Sequence, residues 1–278
     1  MTAGMTEERR AVKRGRLSAL ANPLYRALRA SADKAHTLVG TLGIFLVAGL
    51  AVASLGTAVF VELAGHVRSG STQAFDDAVI RWMGDHRSTG LDTVMIEVTA
   101  LGTGVVVLMI VTVAALFLVL TQHKYSAVLL LASTVGGIVL DAILKLGFNR
   151  PRPSIFIPAV HTVSSSFPSG HAMSAAVVYS TVAYLAARLH QRPWARWLVM
   201  TAAFAIIALI SISRLYLGVH YPSDVIAGVA IGLAWAGFCM ATLEAIQKFG
   251  IRRDPRILRH ELPAPAPDPK ASPAAGSS

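Results

Sequence analysis

Two histidines, a carboxylate and a set of cations stand in three short segments of a 278-residue chain that otherwise spends few charges. "SRLYLGVHYPSD" (213–224) carries Ser213, Arg214, His220 and Asp224; "SSSFPSGH" ends at His171; "KLGFNRPRP" opens at Lys145 and holds Arg150 and Arg152. An imidazole can attack phosphorus or protonate a leaving oxygen, and an unperturbed pKa of about 6.5 keeps both forms accessible near neutrality. Lys and Arg neutralise phosphate oxygens, the guanidinium by a bidentate fork. Ser169 and Gly170 stand just before an expected helix, so their backbone N–H groups can point at the same anion with the helix dipole behind them. His220 and Asp224 are four residues apart. With Pro222 in the first turn of a helix, that spacing sets the carboxylate beside the ring, holding one nitrogen and leaving the other free to attack.

Such a site needs a scaffold, and the scaffold is apolar. Hydrophobic residues make up 54% of the chain and charged ones 14%, against about 25% charged in a soluble domain. A membrane span takes about 20 mostly apolar residues, and six runs qualify: 38–60, 97–120, 126–146, 171–189, 195–213 and 222–246. The expected fold is all-α, a six-helix membrane bundle with a short interfacial helix within 72–95, where Phe75, Val79, Ile80, Trp82 and Met83 alternate with charges. The first run is read as a retained helix, because a long basic segment precedes it and no small-residue cleavage site follows. The domain reading is a basic segment over 1–35, a membrane domain over 36–248 and a basic, then Pro/Ala-rich disordered tail over 249–278.

Lys and Arg gather before the first run, after the last, and in the short connections at Lys124 and at Arg188, Arg192 and Arg196. Basic residues resist translocation, so both termini are expected in the cytoplasm and the protein in the cytoplasmic (inner) membrane. The three chemical segments then share the extracytoplasmic rim. The net charge of +10 is explained by topology and anionic headgroups; no basic reading surface for nucleic acid is visible. Cys239, alone in its kind, lies inside the last run and reads as a small buried hydrophobe.

In order and internal spacing, the three segments resemble the signature motifs of the type 2 phosphatidic acid phosphatase family, membrane relatives of the vanadium haloperoxidases. Lys145, six intervening residues and Arg152-Pro153 match the first motif; Pro168 to His171 match the second; Ser213-Arg214, His220 and Asp224 match the third. The resemblance implies a six-helix core and an extracytoplasmic site. It implies that His220 is a nucleophile forming a phosphohistidine, that Asp224 orients it, and that His171 is the general acid. Lys145, Arg152, Arg214, Ser169 and Gly170 would bind the phosphoryl oxygens. The family uses no metal or other cofactor, and no cluster with metal-ligand spacing stands against that here.

Other residues read more plainly. His66, His86, His123, His161 and His190 are taken as interfacial. Asp141, one turn before Lys145, is expected to pair with it, either positioning the lysine or simply neutralising its charge. Arg150, unselected by the motif spacing, is expected at substrate or headgroups. Tyr216 and Tyr221 read as interfacial anchors, and Gly228, Gly232 and Gly237 as sites of close helix packing. Glu97 and Thr99, at the outer end of the second run, read as a solvated helix end, with a place in the lining of the site as the alternative.

The expected activity is metal-independent hydrolysis of a lipid phosphomonoester or diphosphate, of the phosphatidic acid, phosphatidylglycerol phosphate or polyprenyl diphosphate type. Its partners are the lipid substrate and the surrounding membrane lipids. A lipid phosphotransferase with the same cradle is the nearest alternative. A transporter would set its charges toward the midplane, and the known vanadate-dependent peroxidases are soluble.

Overall fold

The computed structural model describes residues 46–155 and 164–253, with side chains described through residue 247. The basic segment over 1–35, the start of the first expected span, His161 and the Pro/Ala-rich tail beyond residue 253 lie outside the described residues. Those described are helical, without strands: α1 (Leu46–Arg68), α2 (Gln73–Asp85), α3 (Thr89–Ala100), α4 (Gly104–Leu120), α5 (Lys124–Gly147), α6 (Gly170–Leu189), α7 (Pro193–Tyr216) and α8 (Pro222–Arg253). Five of them, α1, α5, α6, α7 and α8, are long and apolar enough to cross a bilayer. The chain is an integral membrane protein with several spans.

The second expected span, 97–120, is instead a pair: α3 and α4 together pass as a span but bend by 44° at their junction. The bend has a local cause. Leu101 to Thr103 break the helix, and Gly102 lies so close to α6 and α7 that a Cβ there would come within 2.8 Å of Ile210 and 3.3 Å of the His171 ring. A carbonyl freed by such a break needs a partner in an apolar setting, and the Tyr179 hydroxyl donates to Leu101 O at 2.9 Å. The interfacial stretch 72–95 likewise divides. Ser88 caps α3 by accepting from Leu91 N at 3.4 Å, which separates α3 from the amphipathic α2.

Helix α6 forms the centre, with α7, α8 and α5 packed around it. Small residues make this possible, since Ala172, Ala175, Ala176 and Ala183 are buried along α6 and permit close backbone approach. Glycines of α8 answer them. A Cβ on Gly228 would fall 2.6 Å from Ser169 O and one on Gly232 2.7 Å from Met173 O, as the packing reading of these glycines requires. Gly237 meets Gly49 of α1 in the same way, at 2.8 Å. The outer faces of α4 and α5 leave Val105, Met109, Val113, Leu120, Val128 and Leu146 exposed, as a lipid-facing surface should.

Because α6 and α8 both begin at the motif residues, their separation is expected to disturb the site as well as the fold. Gly232→Val should cost about 1–3 kcal/mol through overpacking and lower the Tm of the detergent-solubilised protein. Gly65→Ala, where a Cβ meets nothing within 4 Å, should leave Tm unchanged or slightly raised.

Candidate functional site

The three motif segments converge where α5 ends and α6 and α8 begin. Helix α7 stops at Tyr216, and Gly218 at φ +69° turns the chain in the left-handed region that glycine enters without a Cβ penalty. Val219 N returns to Arg214 O at 3.3 Å, and the next residue, His220, is delivered into the interior at 2% exposure. Pro222 then opens α8, placing Asp224, fully buried, in its first turn.

The orientation of His220 follows from its partners. Its Nδ1 lies 2.8 Å from Ser166 O and 3.6 Å from Asp224 Oδ2. A carbonyl only accepts, so Nδ1 carries the proton and Nε2 presents its lone pair. Arg152 Nη1 lies 3.2 Å from that Nε2 and donates to Val219 O at 2.7 Å. Burial pulls the imidazole pKa down to about 4, reinforced by the nearby Arg152 and Arg214 and opposed by Asp224. The ring is therefore neutral and nucleophilic across the physiological range.

The expected His220–Asp224 pairing is shared. Ser166, a residue that no motif spacing singles out, supplies the nearer acceptor through its carbonyl, and its hydroxyl donates to Asp224 Oδ2. Tyr221 N donates to the same carboxylate oxygen at 2.8 Å. Its other oxygen accepts from Arg150 Nη1 at 2.6 Å. Asp224 thus holds the loop before α6 and the ring together as one unit.

The cation cradle is assembled from separate helices. Lys145, in the last turn of α5, is paired with Asp141 at 2.7 Å, the expected i,i+4 contact. Its ammonium would lie 2.6 Å from a Cβ at Gly170, so a side chain there would shift the lysine from its place beside the α6 N-terminus. Arg214 is buried, donates to Thr99 Oγ1 at 2.9 Å, and keeps a buried Nε without a hydrogen-bond partner. Ser169 Oγ is likewise buried and unpartnered. His171 stands at the second position of α6, its ring in electrostatic range of Arg214, His220, Lys145 and Arg152.

Several residues fall elsewhere than expected. The Ser169 amide is committed to Asp224 O at 3.0 Å, which leaves its hydroxyl, with the first-turn amides from Gly170 onward, for an anion. Thr99 is buried against Arg214 rather than solvated, while Glu97 is exposed. Tyr216 and Tyr221 are buried rather than interfacial. Tyr216 Oη accepts from Ser88 N at 3.0 Å, and the Tyr221 ring lies under the Arg150 guanidinium at 4.4 Å.

Arg150 turns inward, its side chain 9% exposed. It bridges Asp224 and Asp76 at 2.6 and 2.8 Å. Burial opposes its charge, yet Asp224 and Asp76 hold its pKa above the usual arginine value. Asp76, fully buried on α2, does not stand out in the sequence among the acids of the outer connection. Its signal is present in the helical spacing, because it shares a stripe with Ile80 and Met83. No group of three or more His, Cys, Asp or Glu side chains among the described residues is arranged to hold a metal ion.

His171 thus stands in electrostatic range of His220, Lys145, Arg152 and Arg214, and two buried polar atoms of the same segments, Ser169 Oγ and Arg214 Nε, have no hydrogen-bond partner. A family model described as the PAP2 superfamily matches residues 125–248, which include all three motifs. Phosphatidylglycerophosphatase B of Bacillus subtilis is 32% identical over 191 residues, covering 68% of this chain and 94% of that protein. An undecaprenyl-diphosphatase of Sulfolobus acidocaldarius is 32% identical over 140 residues, 49% of this chain and 63% of its own length. The crystal structure of a transmembrane PAP2-type phosphatidylglycerolphosphate phosphatase from Bacillus subtilis superposes with a TM-score of 0.65 at 30% identity, covering 70% of this chain and 98% of that one.

Proposed function

Because this chain belongs to the PAP2 superfamily of membrane phosphatases, a metal-independent hydrolase family, we propose that it releases phosphate from a lipid by way of a phosphohistidine on His220. The chain is a PAP2 lipid phosphatase; the roles of its residues, its substrate and its orientation are the content of the proposal. One observation carries the roles: Nδ1 of His220 is tied to Ser166 O, so that the Nε2 lone pair faces the cations, where it accepts from Arg152 Nη1 at 3.2 Å until a phosphoryl group takes that donor.

In the first step His220 Nε2 attacks phosphorus, the bond from phosphorus to the leaving oxygen breaks, and His171 gives that oxygen a proton. Ser166 O and Asp224 stabilise the Nδ1–H of the charged ring. Lys145, Arg152, Arg214, Ser169 Oγ and the first amides of α6 balance the equatorial oxygens. In the second step a water attacks phosphorus as His171 takes its proton, the N–P bond breaks, and His220 returns neutral. Asp141 holds Lys145 in place, and no step calls for a metal ion.

The substrate class follows from where the site lies and from the relatives. Relatives are named for phosphatidylglycerophosphate and undecaprenyl diphosphate, lipids with a terminal phosphate. A site at the ends of membrane helices receives such a headgroup laterally, while the chains stay among apolar helix faces. The distribution of basic residues supports both termini in the cytoplasm and a site opening to the extracytoplasmic face. A basic N-terminal segment over 1–35, a phosphatase domain over 36–248 and a tail over 249–278 complete the organisation.

The test is phosphate release by the detergent-purified protein across lipid mono- and diphosphates, with and without a strong chelator. Release from at least one lipid, unchanged by the chelator, is expected. Release abolished by the chelator and restored by a divalent cation would overturn the mechanism.

A further inference from the structure

Among the buried charged groups that the mechanism does not use, one adjoins the site. Asp76, on the interfacial helix α2, is fully buried and remote in sequence from every motif. Its Oδ2 accepts from Arg150 Nη2 at 2.8 Å and from Ser223 Oγ at 2.5 Å; its Oδ1 accepts from Ser223 N at 3.0 Å. Arg150 in turn donates to Asp224 Oδ1 at 2.6 Å, to Ser223 Oγ at 2.8 Å and to Gln73 Oε1 at 3.1 Å. Arg150 is therefore a single cation between two carboxylates, one of them the carboxylate beside His220.

We propose that Asp76 is a positioning residue for the phosphohistidine chemistry: it takes up half of the Arg150 charge, so that Asp224 keeps enough negative charge to stabilise the His220 imidazolium while its geometry stays fixed. The inference rests on the reading of His220 as nucleophile. The physical reason is electrostatic. A carboxylate fully neutralised by a guanidinium at 2.6 Å offers little to a ring 3.6 Å away, whereas a cation shared by two carboxylates leaves the group of three with one net negative charge. Attack on phosphorus makes the ring cationic, so that residual charge acts in the transition state more than in the bound substrate. Asp76 also receives the Ser223 amide and hydroxyl, and thereby ties α2 to the first turn of α8, where Asp224 is set.

Asp76→Asn keeps the shape and the acceptor for Ser223 N but removes the charge. It should lower kcat about 10- to 100-fold, the usual scale for a residue that orients a ligand or catalyst from behind, with KM changed little. The informative variant is the double one. In Asp76→Asn/Arg150→Gln both charges are gone, the two amides can pair, and Asp224 is again unopposed; its kcat should recover most of the loss seen in Asp76→Asn. A residue that merely anchors α2 would give the opposite order, because the double variant removes more contacts. His220→Ala is run beside them, with helicity and monodispersity checked for each protein. Wild-type kcat in Asp76→Asn, or a folded double variant no better than the single one, would overturn the inference while an inactive His220→Ala left the nucleophile standing. Activity in His220→Ala would remove the reading on which it rests.

Discussion

Replacing His220 with alanine should reduce phosphate release by at least about 10⁴-fold, roughly 5 kcal/mol of barrier at the scale of an essential catalytic side chain. The reason lies in the order of the steps. The ring presents its Nε2 lone pair beside the cation cradle, within 3.2 Å of Arg152 Nη1, and water in its place would lack both position and a carboxylate behind it. The alanine variant should still bind substrate, because Lys145, Arg152 and Arg214 are untouched. Its KM should therefore move much less than its kcat. A pH dependence accompanies this. With its pKa drawn down to about 4, His220 is fully available above that value, so its contribution to kcat/KM should decline only as pH falls toward 4, after correction for substrate ionisation measured separately. An acid limb at the ordinary histidine value would mean that the ring is more exposed than its 2% surface indicates.

The second large effect is expected at His171, and its size should depend on the leaving group. A lipid alcohol is a poor leaving group and needs a proton as its bond to phosphorus breaks. His171→Ala should therefore lose about 10²- to 10⁴-fold in kcat on a lipid phosphomonoester, the usual worth of a positioned general acid. An aryl phosphate leaves as a stable phenolate and needs no such help. With that substrate, the first step should survive in His171→Ala while the second, which uses the same ring to activate water, slows. The kinetic sign is a stoichiometric burst of phenolate followed by slow turnover, measured by stopped flow. Equal losses on lipid and aryl substrates, without a burst, would argue that His171 only binds phosphate.

Much of the site is legible in the sequence because the chemistry is concentrated in short segments. His220, Asp224 and Pro222 are fixed by local helix-entry geometry, so a spacing of four and a proline are sufficient to place them. The Asp141–Lys145 contact is a single turn of one helix and is equally accessible. What escapes is long-range. Ser166 acts through its carbonyl, a group every residue carries, so no side-chain type can mark it. Asp76 is buried only because α2 lies over the start of α8, and Arg150 turns inward only because Asp76 and Asp224 both wait for it. Depth along the chain assigns Tyr216, Tyr221 and Thr99 to the water interface, yet each has a buried polar partner or a stacked cation across the fold.

The membrane architecture shows the same division. Apolar length identifies the spans, but the first ends at Arg68 rather than near residue 60, since a single Glu62 does not stop a helix. The α3–α4 bend cannot be seen in hydropathy, because it depends on Gly102 meeting Ile210 and His171 and on Tyr179 receiving the freed carbonyl. That bend sets Thr99 behind Arg214, so an irregularity in one span helps place a cation carried by another.

The central claim is a covalent bond between His220 and phosphorus, and trapping it is the most direct test. Protein mixed with a ³²P-labelled aryl phosphate would be quenched in alkali, where phosphohistidine survives, and digested for peptide mapping, using His171→Ala to let the intermediate accumulate. Label on the peptide containing His220, absent when His220 is also replaced, is the expected result. Label on a different residue, or undiminished phosphate release by His220→Ala, would contradict the account.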